Sequence, residues 1–286
     1  MKKRIIVLGS RGFVGRGLVD HLTETFKETI VTGLSSLELD LEKGFHSPLF
    51  DISPETTTLV ICSGLKRNFG ETTETFNRNL KIAENLYNLT NAVKFERVIY
   101  LSSCAVYGED VAHEIISEEN VLTPTSFYGI SKTSTEFLLQ KSCSDRLVII
   151  RPPTIYGDPN HNNYDPYGFL SKISKGEILG IWGDGTELRE FLYIKDLHTI
   201  IEKLIPMKLT GVFNTCSGKS YSFVDIIDIA KKLTGKIPNL EFKARSKDKV
   251  DHNFKADKIK SVLPDFTFTT LNEGMNLMFK KEFKNE

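Results

Sequence analysis

The chain predicts a doubly wound α/β fold, a parallel sheet with helices on both faces, followed by a smaller C-terminal lobe. Three observations carry that prediction. Short β-branched runs alternate with longer stretches of helical periodicity. A glycine-rich turn directly follows the first of those runs. The alternation loosens after Arg151-Pro152-Pro153.

The runs are Arg4–Leu8, Thr29–Thr32, Thr58–Cys62, Arg97–Leu101 and Arg146–Ile150. They lack polar alternation, as strands buried on both faces of a parallel sheet do. Between them, Thr73–Thr90 and Ser126–Lys141 are long enough for crossover helices. Such a βα alternation places ligands at the carboxyl ends of the strands. Further on, Pro159–Pro166 is polar and rich in Asn, and later segments read as helices split by turns at Gly211, Gly218 and Gly235. Residues 1–155 are therefore expected to form the sheet domain, with later segments returning to it. Residues 156–286 mainly form the second lobe. The charged Lys280–Glu286 end is expected to fray.

At 286 residues, 40% hydrophobic and 26% charged, the composition is that of a soluble globular protein. Lys+Arg and Asp+Glu both number 37, so no bulk field recruits nucleic acid or an anionic membrane. The four cysteines (62, 104, 143 and 216) have neither metal-ligand spacing nor a disulfide framework. They read as reduced thiols in a cytoplasmic protein, and no metal is expected. No apolar run approaches the roughly 20 residues of a membrane span. The basic start Met1-Lys2-Lys3-Arg4 leads into too short an apolar stretch for a secretion signal, so a first strand is expected.

The turn Gly9-Ser10-Arg11-Gly12-Phe13-Val14-Gly15 lies between a buried strand and a helix. That arrangement sets backbone N–H groups and a helix N-terminus against a pyrophosphate, which points to NAD or NADP. Its Gly-x-x-Gly-x-x-Gly spacing differs from the commoner Gly-x-Gly-x-x-Gly, and alone it is also an ordinary strand-to-helix turn. An acid ending the second strand would bind the ribose 2′-hydroxyl. Thr32-Gly33-Leu34-Ser35-Ser36 has none, which tilts the reading toward NADP, with Arg11 or Ser35 on the 2′-phosphate. Asp40 is either a residue under the adenine or a turn aspartate.

Tyr128 and Lys132 are four apart on a predicted helix and share a face. A lysine ammonium beside a phenol favours phenolate and brings a group of ordinary pKa about 10 toward base strength at neutral pH. Ser103, counted as just past a fifth strand, can hydrogen-bond the same substrate oxygen. Of the nine tyrosines only Tyr128 has a lysine four residues later. A lone Tyr-x-x-x-Lys is more often a surface pair. The order of glycine turn, Ser102-Ser103, then Tyr128 and Lys132 is what points to hydride chemistry on a carbinol or ketone.

With these motifs the sequence resembles, over nearly its whole length, the extended short-chain dehydrogenase/reductase family of nucleotide-sugar epimerases, dehydratases and reductases. The resemblance implies a Rossmann-like NAD(P)-binding sheet domain and a C-terminal substrate-binding lobe. Gly9, Gly12 and Gly15 match the family's glycine loop, and Ser103, Tyr128 and Lys132 its catalytic triad. Asn79 resembles the helix asparagine that supports the active site; an exposed polar helix residue is the other reading. Ser103-x-x-x-Tyr107-Gly108 and Arg151-Pro152-Pro153-Thr154-Ile155-Tyr156-Gly157 are similar to family segments too. The run Trp182–Asp196 resembles the substrate-lobe motif whose arginine, here Arg189, meets the diphosphate. Arg245-Ser246-Lys247-Asp248 with Ala256-Asp257-Lys258 resembles the pattern that brings Arg245 to the same group. Arginine suits bidentate phosphate contacts, whereas either residue alone reads as a surface charge.

Departures from the family narrow the reaction. Cys104 and Ala105 stand where its dehydratases carry Asp-Glu, so 4,6-dehydration is not expected. As half of a Cys–His pair, Cys104 would need a histidine where Tyr167 or Gly168 stands; a small buried thiol is the simpler reading. His161 and Tyr164 are either sugar contacts or loop filler. The expected activity is that of an NAD(P)-dependent nucleotide-sugar epimerase acting on a nucleoside diphosphate-sugar, with polysaccharide biosynthesis as its family-level setting. Tyr128 takes the proton of a sugar hydroxyl at C4 while hydride leaves, the keto-sugar turns over, and hydride returns to the other face. The alternatives are an NADPH-dependent nucleotide-linked 4-keto-sugar reductase and a non-catalytic NAD(P)-binding sensor. The resemblance also implies a homodimer packed through helices around Asn79–Asn91 and Tyr128–Ser142.

Overall fold

The computed structural model describes residues 2–45, 53–66, 69–157, 166–245 and 247–282. His161 and Tyr164 lie outside the described residues. The first elements are β1 (Arg4–Leu8), α1 (Phe13–Thr25), β2 (Ile30–Leu34), β3 (Thr57–Ile61), α2 (Thr73–Ala92), β4 (Arg97–Leu101), α3 (Phe127–Cys143) and β5 (Leu147–Arg151). Then come β6 (Thr154–Tyr156), α4 (Pro166–Lys175), β7 (Ile178–Trp182), β8 (Leu188–Tyr193), α5 (Ile194–Leu204) and β9 (Gly211–Asn214). The chain closes with β10 (Ser220–Ser222), α6 (Phe223–Thr234), β11 (Asn239–Lys243), α7 (Asp257–Val262) and α8 (Leu271–Glu282).

Two compact units result. The first comprises residues 1–109, 120–151 and 198–213. Its six-stranded sheet has the order β2-β1-β3-β4-β5-β9, and the pairs from β2 to β5 are parallel. Every residue of β3, β4 and β5 is buried, which is why their sequences show no polar alternation. Leu59, Leu86, Leu89, Val98 and Leu139 are fully buried in its core. α2 and α3 pack together, and the hydroxyls of Thr90 and Ser142 share a 2.6 Å hydrogen bond. Ser126, expected inside a helix, is instead the N-cap of α3, its Oγ accepting from the Gly129 N–H. Ser103 follows β4, not a fifth strand.

The second unit comprises residues 110–119, 152–197 and 214–286. It holds the sheets β10-β8-β6 and β11-β7, and a core around Tyr156, Leu170, Ile181, Ile226 and Met275. Here the expectation of helices split by turns is corrected. The glycines do mark turns, Gly235 ending α6 at φ +68°, but β9, β10 and β11 are strands. The reason is one-sided burial. Along β7, Ile178 and Trp182 are 58% and 52% exposed while Leu179 and Ile181 are buried. β10 (Ser-Tyr-Ser) and β11 (Asn-Leu-Glu-Phe-Lys) are as short and alternate polar with apolar residues, so they lack the continuous apolar run that marks β3 or β4. The expected fraying is likewise corrected for Lys280–Glu282, which complete α8; residues 283–286 lie outside the described set. Among the described residues no helix is long and apolar enough to cross a membrane.

Candidate active site

β1 ends at Gly9, whose φ of +81° favours glycine. The N–H groups of Gly9 and Ser10 both donate to the Leu34 carbonyl, at 2.8 and 3.1 Å, tying the turn to the end of β2. A Cβ on Gly15 would lie 2.2 Å from the Gly9 carbonyl oxygen, so only hydrogen fits between α1 and the turn. Gly12 caps α1 without a side-chain acceptor. The first-turn N–H groups, beginning at Phe13 and Val14, thus present an uncapped positive end that fits an anion. Lys66 Nζ lies 4.1 Å over the Phe13 ring and adds charge there.

The end of β2 differs from expectation. Ser35 donates its N–H and its hydroxyl to Glu38 Oε2, at 2.8 and 2.5 Å. Arg11 lies 3.8 Å from the other Glu38 oxygen. Residues 32–36 hold no acid, but Glu38, two residues further on, folds back to bring a carboxylate to Ser35, held below its usual pKa first by the Ser35 hydroxyl and then by the Ser35 N–H. Asp40 accepts from the Glu42 N–H at 3.1 Å and pairs with Lys43 at 3.1 Å, the geometry of a turn aspartate.

At the chemical end, Ser103 caps a short 3-10 helix over Cys104–Tyr107, its Oγ accepting from the Ala105 N–H at 3.2 Å. The hydroxyl proton is thereby left to donate. Tyr128 is the second residue of α3, and its N–H donates to Glu71 Oε1 at 3.3 Å. One turn on, Lys132 is buried. Its Nζ donates to the Leu101 carbonyl at 2.7 Å and lies 4.9 and 5.8 Å from the Tyr100 and Tyr128 rings. Burial lowers its pKa to about 8, against the pull of Cys62 and Glu136. The Cys62 thiol is itself pushed up to about 12 by desolvation.

Behind this group sits an ion-pair network that sequence reading missed. Glu136, one turn beyond Lys132, accepts from Arg151 Nε at 2.9 Å and Nη2 at 2.5 Å, and also from Ser102 Oγ. Arg151 Nη1 donates to the Tyr107 hydroxyl at 2.8 Å. Burial works against the Arg151 charge, but Glu136 more than offsets it and holds the pKa above the usual value. Cys104 donates its thiol to the Arg151 carbonyl at 3.2 Å, a packing role. The Tyr128, Lys132, Glu136 spacing of four and four was the available signal.

Asn79 is buried, not exposed. Its Oδ1 accepts from the Leu65 N–H at 2.8 Å and its Nδ2 donates to the Leu65 carbonyl at 3.0 Å, clamping the loop after β3 to α2. A narrow cleft opens here, lined by Lys66, Glu71, Phe76, Asn79, Phe127 and Tyr128.

In the second unit, Arg189 on β8 and Arg245 after β11 meet on one carboxylate. Arg189 Nη2 donates to Glu187 Oε1 and Arg245 Nη1 to Glu187 Oε2. Gly183, at φ +63°, makes room: a Cβ there would be 2.2 Å from Arg245 Nε. Sequence reading had both arginines but neither Glu187 nor its neighbour Glu190, since such contacts depend on how loops fold back.

Comparison with known proteins fits this architecture. UDP-glucose 4-epimerase of Dictyostelium discoideum is 27% identical over 310 residues, covering 91% of this chain and 89% of its own. GDP-L-fucose synthase of Sinorhizobium fredii is 26% identical over 254 residues, covering 82% and 80%. The crystal structure of UDP-glucuronic acid 4-epimerase from Bacillus cereus with UDP-glucuronic acid and NAD superposes with a TM-score of 0.79. That structure is 22% identical and spans 98% of this chain and 100% of its own, a likeness of fold. With the family's sequence model matched over residues 5–215, well over half its length, the chain belongs to the NAD dependent epimerase/dehydratase family.

Proposed function

We propose that the protein is an NAD-dependent nucleotide-sugar epimerase that inverts a sugar hydroxyl at C4 by reversible oxidation, with return of hydride to the other face. The observation that carries this reading is the buried Lys132 ammonium, pinned to the Leu101 carbonyl beside the Tyr128 ring. A bound nicotinamide dinucleotide supplies the hydride acceptor. Gly9, Gly12, Phe13, Val14 and Gly15 hold its pyrophosphate, Lys132 its ribose, and Asn79 the loop beside it. Glu38 favours NAD over NADP, because a carboxylate next to Ser35 and Arg11 accepts from a 2′-hydroxyl and repels a 2′-phosphate.

Tyr128, as phenolate, takes the proton of the sugar hydroxyl, and Ser103 donates to the same oxygen. The Lys132 charge holds the phenolate. In the second unit we assign Arg189 and Arg245 to the diphosphate of a nucleotide. The names of the relatives, which include UDP- and GDP-sugar enzymes, support a nucleoside diphosphate-sugar as substrate. The same reading makes the protein a cytoplasmic homodimer joined through α2 and α3.

A second reading, an NADPH-dependent reductase of nucleotide-linked 4-keto-sugars, is favoured by Arg11, whose side chain is 65% exposed in the turn between β1 and α1. Mass spectrometry of the protein as purified, then incubation with nucleotide-sugars and no added cofactor, decides between them. Bound NAD and an isomer formed at constant mass are expected. An empty protein that oxidises NADPH only with a 4-keto-sugar would install the reductase instead. A chain that binds no nucleotide-sugar would be left as an NAD(P) sensor.

A further inference from the structure

The two arginines of the second unit are not equivalent. Arg189 is bound on both terminal nitrogens: Nη1 donates to the carbonyls of Leu188 at 2.8 Å and Val250 at 2.6 Å, and Nη2 to Glu187. Arg245 has Nη1 on Glu187, but its buried Nη2 meets no acceptor among the described residues. The three side chains are largely withdrawn from water, with Glu187 13% and the arginines 22% and 20% exposed. A buried guanidinium nitrogen without an acceptor is costly, and the simplest relief is an anion.

The charges facing the pair come from β8, its preceding turn and the segment after β11. They are Asp184, Glu187, Lys249 and Asp251, the last two 3.3 Å apart and Asp251 also accepting from the Leu188 N–H at 2.9 Å. Two arginines and Lys249 against Asp184, Glu187 and Asp251 balance, so displacing Glu187 leaves one net positive charge. An incoming anion can reach the Glu187-bound nitrogens of both arginines only where the Glu187 carboxylate gives way. A single phosphate can bridge the two arginines as the carboxylate does, and so gains little by replacing it. A ligand with two adjacent phosphates brings a second anionic group, which also supplies an acceptor for Arg245 Nη2.

We propose that Glu187 is the specificity-determining residue of the nucleotide site, a resident counter-ion that a ligand must displace and that only two linked phosphates displace well. This deepens the reading above and rests on it for the assignment of Arg189 and Arg245 to the diphosphate. Glu187 therefore lowers affinity for every anion, and lowers it most for monophosphates.

Calorimetric titration of the whole chain with UDP, GDP and dTDP, their monophosphates, inorganic phosphate and pyrophosphate tests the proposal. Wild type, Glu187→Gln and Glu187→Ala are compared, with melting temperatures beside them. Both substitutions should tighten diphosphate binding about tenfold, tighten monophosphate binding more, and steepen the loss of affinity with salt. Nucleoside diphosphate binding that is unchanged or weaker at unchanged melting temperature would overturn the displacement role and leave the epimerase reading intact. Tighter pyrophosphate binding with no nucleoside diphosphate bound would uphold Glu187 and remove the nucleotide-sugar reading. Silence toward every anion removes both. Should both variants unfold, the wild type alone decides: a pyrophosphate preference over phosphate below about tenfold overturns the proposal.

Discussion

Lys132 illustrates how one buried side chain sets a pH range. Its pKa of about 8 follows from desolvation, so the ammonium persists at neutral pH and is lost above it. In the proposed mechanism the phenolate of Tyr128 leans on that charge, so turnover should decline as pH rises through about 8. Glu136 pulls the Lys132 pKa upward, so Glu136→Gln should move the alkaline limb of the kcat profile to lower pH. An unmoved limb would confine Glu136 to packing. Tyr128→Phe should cost about a thousandfold or more in turnover, with NAD still present by mass spectrometry. Glu190 works in the opposite sense. Burial raises it to about 7, although the N–H groups of Ser217 and Gly218 oppose the shift. A raised carboxyl stabilises the fold at low pH, and that stability is lost as pH climbs from about 4.5 to about 7. Glu190→Gln, neutral throughout, should gain on wild type by roughly 3 kcal/mol between pH 5 and 8 in chemical denaturation. A pH-independent difference would contradict this. Tyr128 and Lys132 were legible because four residues on a helix mean one face. Glu38, Glu187 and Glu190 were not, since each reaches its partner through a turn or across strands.

Elements became legible in proportion to how completely they are buried. β3, β4 and β5 run apolar through a sheet covered on both sides, and their sequences announce them within a residue. β7 shows one face to solvent, with Trp182 on it, while Phe242 of β11, in register with the buried Ile181, lies on the other face and is also exposed. Period-two alternation over five residues with glycine or glutamate in the middle is too weak to oppose a helical reading. The β1–α1 connection is the firmest case, because its geometry excludes other residues. Gly15→Ala would press a methyl against the Gly9 backbone, which cannot rotate away as a side chain can. The variant should lose about 1–3 kcal/mol of stability and release its cofactor on purification. Melting temperature and the ratio of absorbance at 260 and 280 nm report both effects, and a variant that keeps wild-type values would show that the turn is softer than its packing implies.

For the molecule as a whole, 37 basic against 37 acidic residues leave no net field to gather anions. The diphosphate recognition proposed above must therefore come from local charge, the uncapped end of α1 in one unit and the Glu187-bridged arginines in the other. Balanced charge also removes long-range repulsion between copies, so assembly depends on surface apolar groups. α3 carries two, Ile130 at 37% and Phe137 at 57% exposed, on a helix already packed against α2. A second copy covering this pair through α2 and α3 would bury what the isolated chain leaves wet. Light scattering should then give twice the chain mass for wild type and the chain mass for Phe137→Glu. The melting temperature of that variant should also become independent of concentration, since no dimer remains to be favoured by mass action. A monomeric wild type would show that the exposed ring serves only its neighbour Lys141, whose ammonium lies 5.3 Å above it.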